Sequence, residues 1–319
     1  MKKFVITGGG GFIGSCLAKR LIQEGHKVCI LDDLSTGFKH NIPEGSVFHQ
    51  VSVSDSRALA ALQIPGSVDT VFHLAAQSSG EASFADPGHD IDVNYKATFN
   101  ILDWCRTRNI KRFIFASSMS VYGDKKPGSE KVSELAECSP ASYYGCNKLA
   151  SEKMIEVFSR QAGIQSTLLR FFNVYGPGQN MKNLKQGMVS IYMAYLMKNE
   201  PVTVKGSLDR FRDFIYIEDL LDLLTLIEKS QATHQQVFNV GTGVKTTVRD
   251  LLQALLKAYG KKEFNAWVKQ DSNTPGDIQG VVADVSKLQE ALDWQPRYGL
   301  EEGVRRMKEW ADATSDLWN

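Results

Sequence analysis

The first 33 residues constrain the fold more than any other part of this chain. Lys3-Phe4-Val5-Ile6-Thr7 reads as a buried strand and residues 12 to 24 as a helix, with Gly8-Gly9-Gly10-Gly11-Phe12-Ile13-Gly14 between them. A second strand, Lys27-Val28-Cys29-Ile30-Leu31, ends in Asp32-Asp33. Glycine permits the tight turn and lets the backbone approach a pyrophosphate, while the helix N-terminus supplies free amides and a partial positive charge. Two registers fit: Gly9, Gly11 and Gly14, or Gly8, Gly11 and Gly14. The acid that closes the second strand suits a ribose 2′-hydroxyl and repels a 2′-phosphate. The unit therefore predicts dinucleotide binding, with NAD favoured over NADP.

The alternation continues. Residues 47 to 53, 70 to 76 and 112 to 116 read as strands, and a helical pattern runs from Val93 to Trp104. A helix follows through Tyr144 to Phe158, then a strand from Ser166 to Phe172. Strand and helix in regular succession predict an α/β protein with a doubly wound parallel Rossmann sheet. Ligands in such sheets lie at the carboxyl ends of strands. The glycine loop, Asp32, Ala75, Ser117-Ser118 and Asn173 all fall at such ends. After Asn173 the pattern becomes less regular, with helices near 187–198, 218–229, 246–258 and 300–313. The expectation is an NAD-binding domain over 1–173 and a smaller C-terminal α/β substrate domain over 174–319, with part of 213–242 packing back on the first.

Composition narrows the class. The 37 basic and 36 acidic residues leave a net charge of +1, which implies no general attraction to nucleic acid or membrane. No apolar run approaches the roughly 18 residues that span a bilayer. Five cysteines, an odd number without a Cys-x-x-Cys, predict a reduced cytoplasmic protein without structural zinc.

Two Tyr-x-x-x-Lys matches stand out, because a lysine one helical turn from a tyrosine favours the phenolate. Tyr122 to Lys126 runs through Gly123 into Pro127 and Gly128, which break a helix. Tyr144 to Lys148 enters a stretch of helix formers with apolar residues at helical spacing, and is the preferred pair. His73, a lone histidine in an apolar strand, reads as structural. Arg212, in Arg210-Phe211-Arg212-Asp213-Phe214, is either a phosphate clamp or a solvated arginine.

These residues resemble the extended short-chain dehydrogenase/reductases, and among them the nucleotide-sugar 4-epimerases of the UDP-glucose 4-epimerase type. The resemblance is carried by Thr7-Gly8-x-x-Gly11-x-x-Gly14, Leu31-Asp32-Asp33-Leu34-Ser35-Thr36-Gly37, His73-Leu74-Ala75-Ala76, Ser117-Ser118-x-x-Val121-Tyr122-Gly123, Tyr144-x-x-x-Lys148, Leu169-Arg170-Phe171-Phe172-Asn173-Val174-Tyr175-Gly176-Pro177, Arg212-Asp213-Phe214-Ile215-Tyr216 and Phe238-Asn239-Val240-Gly241. It covers nearly the whole chain.

The resemblance implies that Tyr144 is the acid/base on the sugar 4-hydroxyl, that Lys148 binds the nicotinamide ribose, and that Ser118 hydrogen-bonds the 4-oxygen. It places the cofactor against Gly8, Gly11, Phe12, Ile13, Gly14, Asp32, Asp33, Ser52, Val53, Leu74, Ala75, Ala76, Asn94, Ser117, Tyr144, Lys148 and Phe171. It places the nucleotide-diphosphate sugar against Ser118, Tyr144, Asn173, Arg212, Asp277 and Val281; it implies no metal.

Related 4,6-dehydratases have an Asp-Glu pair after the hydroxyl residue, and decarboxylases keep a Glu there; this chain has Met119 and Ser120, which disfavours both reactions. Three departures stand out. Thr274 replaces the usual arginine of the diphosphate loop, Ser52 replaces an adenine-contacting Asp, and Val281 replaces a bulkier gate at sugar C2, which predicts that N-acetylated sugars fit. The implied function is NAD-dependent 4-epimerisation of UDP-glucose/UDP-galactose or UDP-GlcNAc/UDP-GalNAc, for surface polysaccharide precursors. A 4-ketoreductase or another epimerase of a deoxysugar nucleotide is the nearest alternative, and a non-catalytic NAD-sensing protein a distant one. Relatives of this kind are commonly homodimers through two helices, here 93–108 and 141–160.

Overall fold

The computed structural model describes residues 1–126, 128–184, 186–271 and 278–318. Seven strands form the central sheet: β1 (Lys3–Thr7), β2 (Lys27–Asp32), β3 (Val47–Gln50), β4 (Thr70–His73), β5 (Arg112–Ser118), β6 (Gln165–Phe171) and β7 (Gln236–Val240). Their order is β3-β2-β1-β4-β5-β6-β7, and every pairing is parallel. The order reverses between β1 and β4, which opens a crevice above the carboxyl ends of both strands. Helices α1 (Phe12–Gln23), α2 (Ala97–Thr107), α3 (Tyr143–Ala162) and α4 (Ile217–Lys229) cover the two faces.

Strand periodicity decides which helix meets which face. Phe4 and Ile6 point to one side of β1 and pack in a cluster with Leu17 of α1 and Leu220 and Leu224 of α4. Val5 points to the other, with Ile101 and Cys105 of α2 and Ile155 of α3. A parallel sheet must be covered on both faces, and the run of apolar residues in each strand follows from that.

β7 begins 65 positions beyond the end of β6 in the chain, and pairs along it from Gln236↔Thr167 to Val240↔Phe171. The 213–242 stretch thus contributes an edge strand to the nucleotide-binding sheet. The remainder forms two-stranded pairs: Asn173–Tyr175 with Phe214–Tyr216, Val202–Lys205 with Val268–Asp271, Phe211–Arg212 with Thr246–Thr247, and Lys131–Val132 with Val282–Ala283. Helices Met188–Met197, Val248–Ala258 and Leu300–Ala313 pack among them.

Three boundaries differ from the pattern in the sequence. β3 stops at Gln50 because Asp55 turns the chain, its carboxylate accepting from the amides of Arg57 and Ala58 to start a short helix. β4 stops at His73, where the amide of Ala75 leaves the ladder to donate to Thr7 Oγ1 at 3.2 Å. The helix expected from Val93 begins earlier, as a π-helical turn over Ile91–Lys96 that leads into α2. Apolar periodicity does not register one extra residue per turn, and such turns often sit beside functional sites.

Candidate active site

The crevice opens into a cavity of about 840 Å³ that runs from the glycine loop to the small strand pairs. Of the two glycine registers, Gly8, Gly11 and Gly14 line it, whereas Gly9 faces the Ile30 side chain. Gly8 has φ +74°, and a Cβ there would sit 2.6 Å from the Ala75 nitrogen; one on Gly14 would sit 2.2 Å from the Gly8 carbonyl oxygen. The strand, helix and loop are so close that only hydrogen fits. Helix α1 begins at Gly11 with no side-chain cap and no acidic residue in its first turn. Its amides and dipole are therefore available to an anion. Asp32 accepts from the amides of Gly10 and Leu34, both at 2.8 Å, so its carboxylate is fixed at the end of β2. Uncapped amides beside a glycine cradle and a positioned carboxylate fit a dinucleotide.

Phe12, Ile13, Asp33, Ser52, Val53, Leu74, Ala75, Ala76, Ser117 and Phe171 also line the cavity. Ser52 donates no carboxylate there; its hydroxyl pairs with that of Ser54 at 2.9 Å. Asn94 is close behind but does not line the space. Its amide nitrogen donates to the carbonyl of Gln77 and to Asp90, both at 2.9 Å.

Ser118, Tyr144 and Lys148 meet where the cavity crosses β5. Ser118 ends that strand, and its hydroxyl caps the next turn by accepting from the Ser120 amide at 3.1 Å. The Ser142 hydroxyl caps α3 by accepting from Gly145, and Gly163 ends the helix at φ +64°. Tyr144 and Lys148 lie one turn apart on its buried face. Lys148 is 2% exposed; its Nζ donates to the Ala116 carbonyl at 2.9 Å and lies 5.8 Å from the centre of the Tyr144 ring.

Burial pushes the Tyr144 phenol up to about 12, opposed by a hydrogen bond with Ser118 and reinforced by the charge of Asp90. Burial pulls the Lys148 ammonium down to about 8, opposed by Asp90 and Glu152. The expected lowering of the phenol by its lysine is not seen: desolvation raises it, and the Lys148 ammonium donates to the Ala116 carbonyl.

The other Tyr-x-x-x-Lys match is structural. Tyr122 is wholly buried, donates to Asn239 Oδ1 at 2.6 Å and accepts from Arg170 at 2.9 Å. His73 is likewise structural: its ring nitrogens meet Thr7 Oγ1 at 2.7 Å and Thr98 Oγ1 at 3.1 Å, and burial holds it neutral, down to about 3.

At the far end, Asn173 lines the cavity with a buried Oδ1 that has no partner among the described residues, and so does Gln179 with its Oε1. Such orphaned acceptors fit a polar ligand. Arg212 is not solvated: it is 6% exposed, donates to the carbonyls of Phe211, Ile278 and Gln279, and lines the cavity beside Arg210. Burial, then the charge of Arg210, pulls it down to about 10. Val281 does not meet the expectation of a gate. It is wholly buried in a cluster with Met119 and Phe172, and those two line the cavity in its place. Asp277 and Thr274 lie outside the described residues.

Sequence reasoning missed the layer beneath the site. Glu152, four residues after Lys148 on the same face of α3, accepts from Ser117 Oγ at 2.5 Å and from Arg170 at 2.7 and 3.0 Å. A glutamate on the buried face of a helix was the available signal. Arg210 and Lys205 at the far end were missed too. Among the described residues, no group of His, Cys, Asp or Glu could hold a metal ion, and no helix is long and apolar enough to cross a membrane.

A glycine cradle, an acid fixed at the end of β2 and a Ser/Tyr/Lys trio on one parallel sheet define a class, the dinucleotide-dependent enzymes that act on an alcohol or ketone carbon. Residues 4–241 match the NAD dependent epimerase/dehydratase family, and the chain belongs to it. It is 31% identical over 313 residues to a UDP-glucose 4-epimerase of Mycolicibacterium smegmatis, covering 96% of this chain and 97% of that one. Two solved structures are close. UDP-glucose 4-epimerase of Thermotoga maritima with UDP-glucose has a TM-score of 0.92 at 31% identity, covering 98% of this chain and 99% of that one. UDP-glucose 4-epimerase of Thermus thermophilus in complex with NAD has a TM-score of 0.88 at 32% identity, with the same coverage.

Proposed function

We propose that this chain is a 4-epimerase of a nucleotide-diphosphate sugar, most closely UDP-glucose/UDP-galactose or UDP-GlcNAc/UDP-GalNAc. The observation that carries the reading is the placement of Ser118, Tyr144 and Lys148 against the glycine cradle, with only Met119 and Ser120 following the hydroxyl residue in the cavity wall. When bound, NAD would supply a reversible hydride acceptor at the sugar C4, without net consumption. Tyr144 moves a proton at the 4-oxygen, in either direction. Ser118 hydrogen-bonds the same oxygen and holds the phenol. Lys148 holds the nicotinamide ribose. Asn173 and Arg212 hold the nucleotide diphosphate, with residues 1–173 serving the cofactor and 174–319 the sugar nucleotide. Neither Met119 nor Ser120 can take a C5 proton, so dehydration has no base at that position.

Purified protein given a panel of UDP-, dTDP-, GDP- and CDP-sugars with no added cofactor should convert a UDP-sugar to its 4-epimer, read by proton NMR. The N-acetylated pair belongs in the panel, since Val281 alone does not decide it. Product formed only when NADH or NADPH is supplied would identify a ketoreductase instead.

The same reading includes a homodimer. Ile91, Tyr95 and Phe99 are exposed on the π-helical turn and α2, Tyr143 and Val157 on α3, and Phe99 meets Phe158 edge-on at 6.1 Å. An apolar patch shared by two neighbouring helices suits a self-complementary contact. Phe99→Glu should convert the dimer to monomer in sedimentation velocity; an unchanged sedimentation coefficient would remove this face from the interface.

A further inference from the structure

Asp90 is wholly buried, and the reaction described above gives it no role. It stands at the junction between the short helix Pro87–Asp90 and the π-helical turn Ile91–Lys96. Its carboxylate is gripped by three carboxamides from three separate segments. Gln77, beyond the end of β4, donates to Oδ1 at 2.7 Å. Asn94, on the π-helical turn, donates to Oδ1 at 2.9 Å. Asn147, which precedes Lys148 on α3, donates to Oδ2 at 2.7 Å. Gln77 is itself fixed, donating to the Ser79 carbonyl at 2.9 Å, and it lines the cavity.

A carboxylate taken wholly out of water is costly, and hydrogen bonds to an ionised acceptor are the strong kind that offset this. An amide or hydroxyl in its place would satisfy fewer of these donors. Neutral donors also leave the charge in place, so it acts through space on whatever ionises nearby. The π-helical turn supplies the means: Asn94 reaches back four residues to the carboxylate, and its backbone carbonyl accepts from Ser151 of α3 at 3.0 Å. The turn is thereby clamped to the helix that carries Tyr144 and Lys148.

We propose that Asp90 is a positioning residue of the catalytic pair: a buried carboxylate strapped to the helix of Tyr144 and Lys148, whose charge keeps the Lys148 side chain cationic inside an apolar site. It rests on the reading of Tyr144 and Lys148 as that pair. The charges around Lys148 are few. Glu152 faces it from α3 itself, with Arg170 of β6 already paired to that glutamate. His73 faces it from β4 and is neutral. β5 offers the Ala116 carbonyl and the ring of Phe115, 4.8 Å from Nζ. Asp90 is the remaining anion, and it opposes the burial that pulls the ammonium down. It acts on Tyr144 as well, adding to the burial that favours the neutral phenol, so one carboxylate favours the protonated form of both members of the pair.

The test is the titration of Lys148 in the purified holoenzyme, followed by NMR of protein carrying lysine labelled with carbon-13 at Cε and assigned with Lys148→Met. In the natural chain the transition should centre near pH 8. In Asp90→Asn it should move down by about one pH unit, since one oppositely charged neighbour is worth a shift of that order. The basic limb of the kcat/KM profile should move down with it. Asp90→Ser, which also removes the charge but leaves room at the site, should give the same shift and stands in if the asparagine variant does not fold. Loss of activity with the titration of Lys148 unmoved would reduce Asp90 to a structural strut and overturn the proposal. The titration needs no sugar nucleotide, so it stands or falls separately from the identity of the substrate.

Discussion

Tyr144→Phe should lower turnover by about 10³-fold while leaving cofactor binding and the melting temperature close to those of the natural chain. The substitution removes one oxygen and keeps the ring, which is packed in a site where Tyr144 is only 8% exposed. Loss of a positioned acid/base costs roughly 10²- to 10⁴-fold. The middle of that range is expected because Ser118, Met119 and Ser120, which line the cavity with Tyr144, cannot replace the phenol as a base. The cradle of Gly8, Gly11 and Gly14 and the fixed Asp32 are untouched, so NAD released by heating the variant should match the natural chain mole for mole. A variant that keeps full activity would remove Tyr144 from the mechanism.

Glu152→Ala should be the most destabilising single change in this region. Glu152 and Arg170 face each other with side-chain exposures of 0% and 5%, and Ser117 and Tyr122 share their hydrogen bonds. Deleting one partner of a buried pair strands the other charge, at a cost of about 3–5 kcal/mol. For a chain of this size that corresponds to a fall of roughly 10 °C in melting temperature. The cost comes from the stranded guanidinium more than from the lost attraction. Glu152→Leu combined with Arg170→Met should therefore be less destabilised than Glu152→Ala alone. If the double variant melts lower than the single one, the pair itself is the stabilising element and this account of its energetics is wrong. Calorimetry of the three variants decides it.

The parts of the fold and site that could be read in the sequence are those written in consecutive residues. The glycine loop, the acid after β2 and the Tyr144–Lys148 turn are local patterns with local physics. Strand alternation gave the sheet, and the break of pattern after Asn173 marked where regularity ends. What escaped depends on residues distant in the chain. β7 lies in the 213–242 stretch expected to pack back on the first domain, but its exact place, paired along β6 across a long insertion, is not written locally. Arg170 is an ordinary residue of β6 until Glu152 and Tyr122 are brought against it. Tyr122 matched the same motif as Tyr144, and only its burial against Asn239 shows that it braces the core. Val281, read as a small gate, is wholly buried instead, and Met119 and Phe172 of the same cluster line the cavity. Asp90 carries no motif; its meaning comes from three carboxamides contributed by three segments.

In the proposed epimerisation, hydride leaves C4 of the sugar and returns to the same carbon. UDP-glucose labelled with deuterium at C4, incubated with the purified protein and no added cofactor, tests it in one spectrum. UDP-galactose should form with the deuterium retained at C4, together with a slower initial rate than for the unlabelled sugar if hydride transfer limits turnover. A 4-epimer that has lost its deuterium to solvent would contradict it, because the proton would then have been exchanged by a base at carbon and not carried by the bound cofactor.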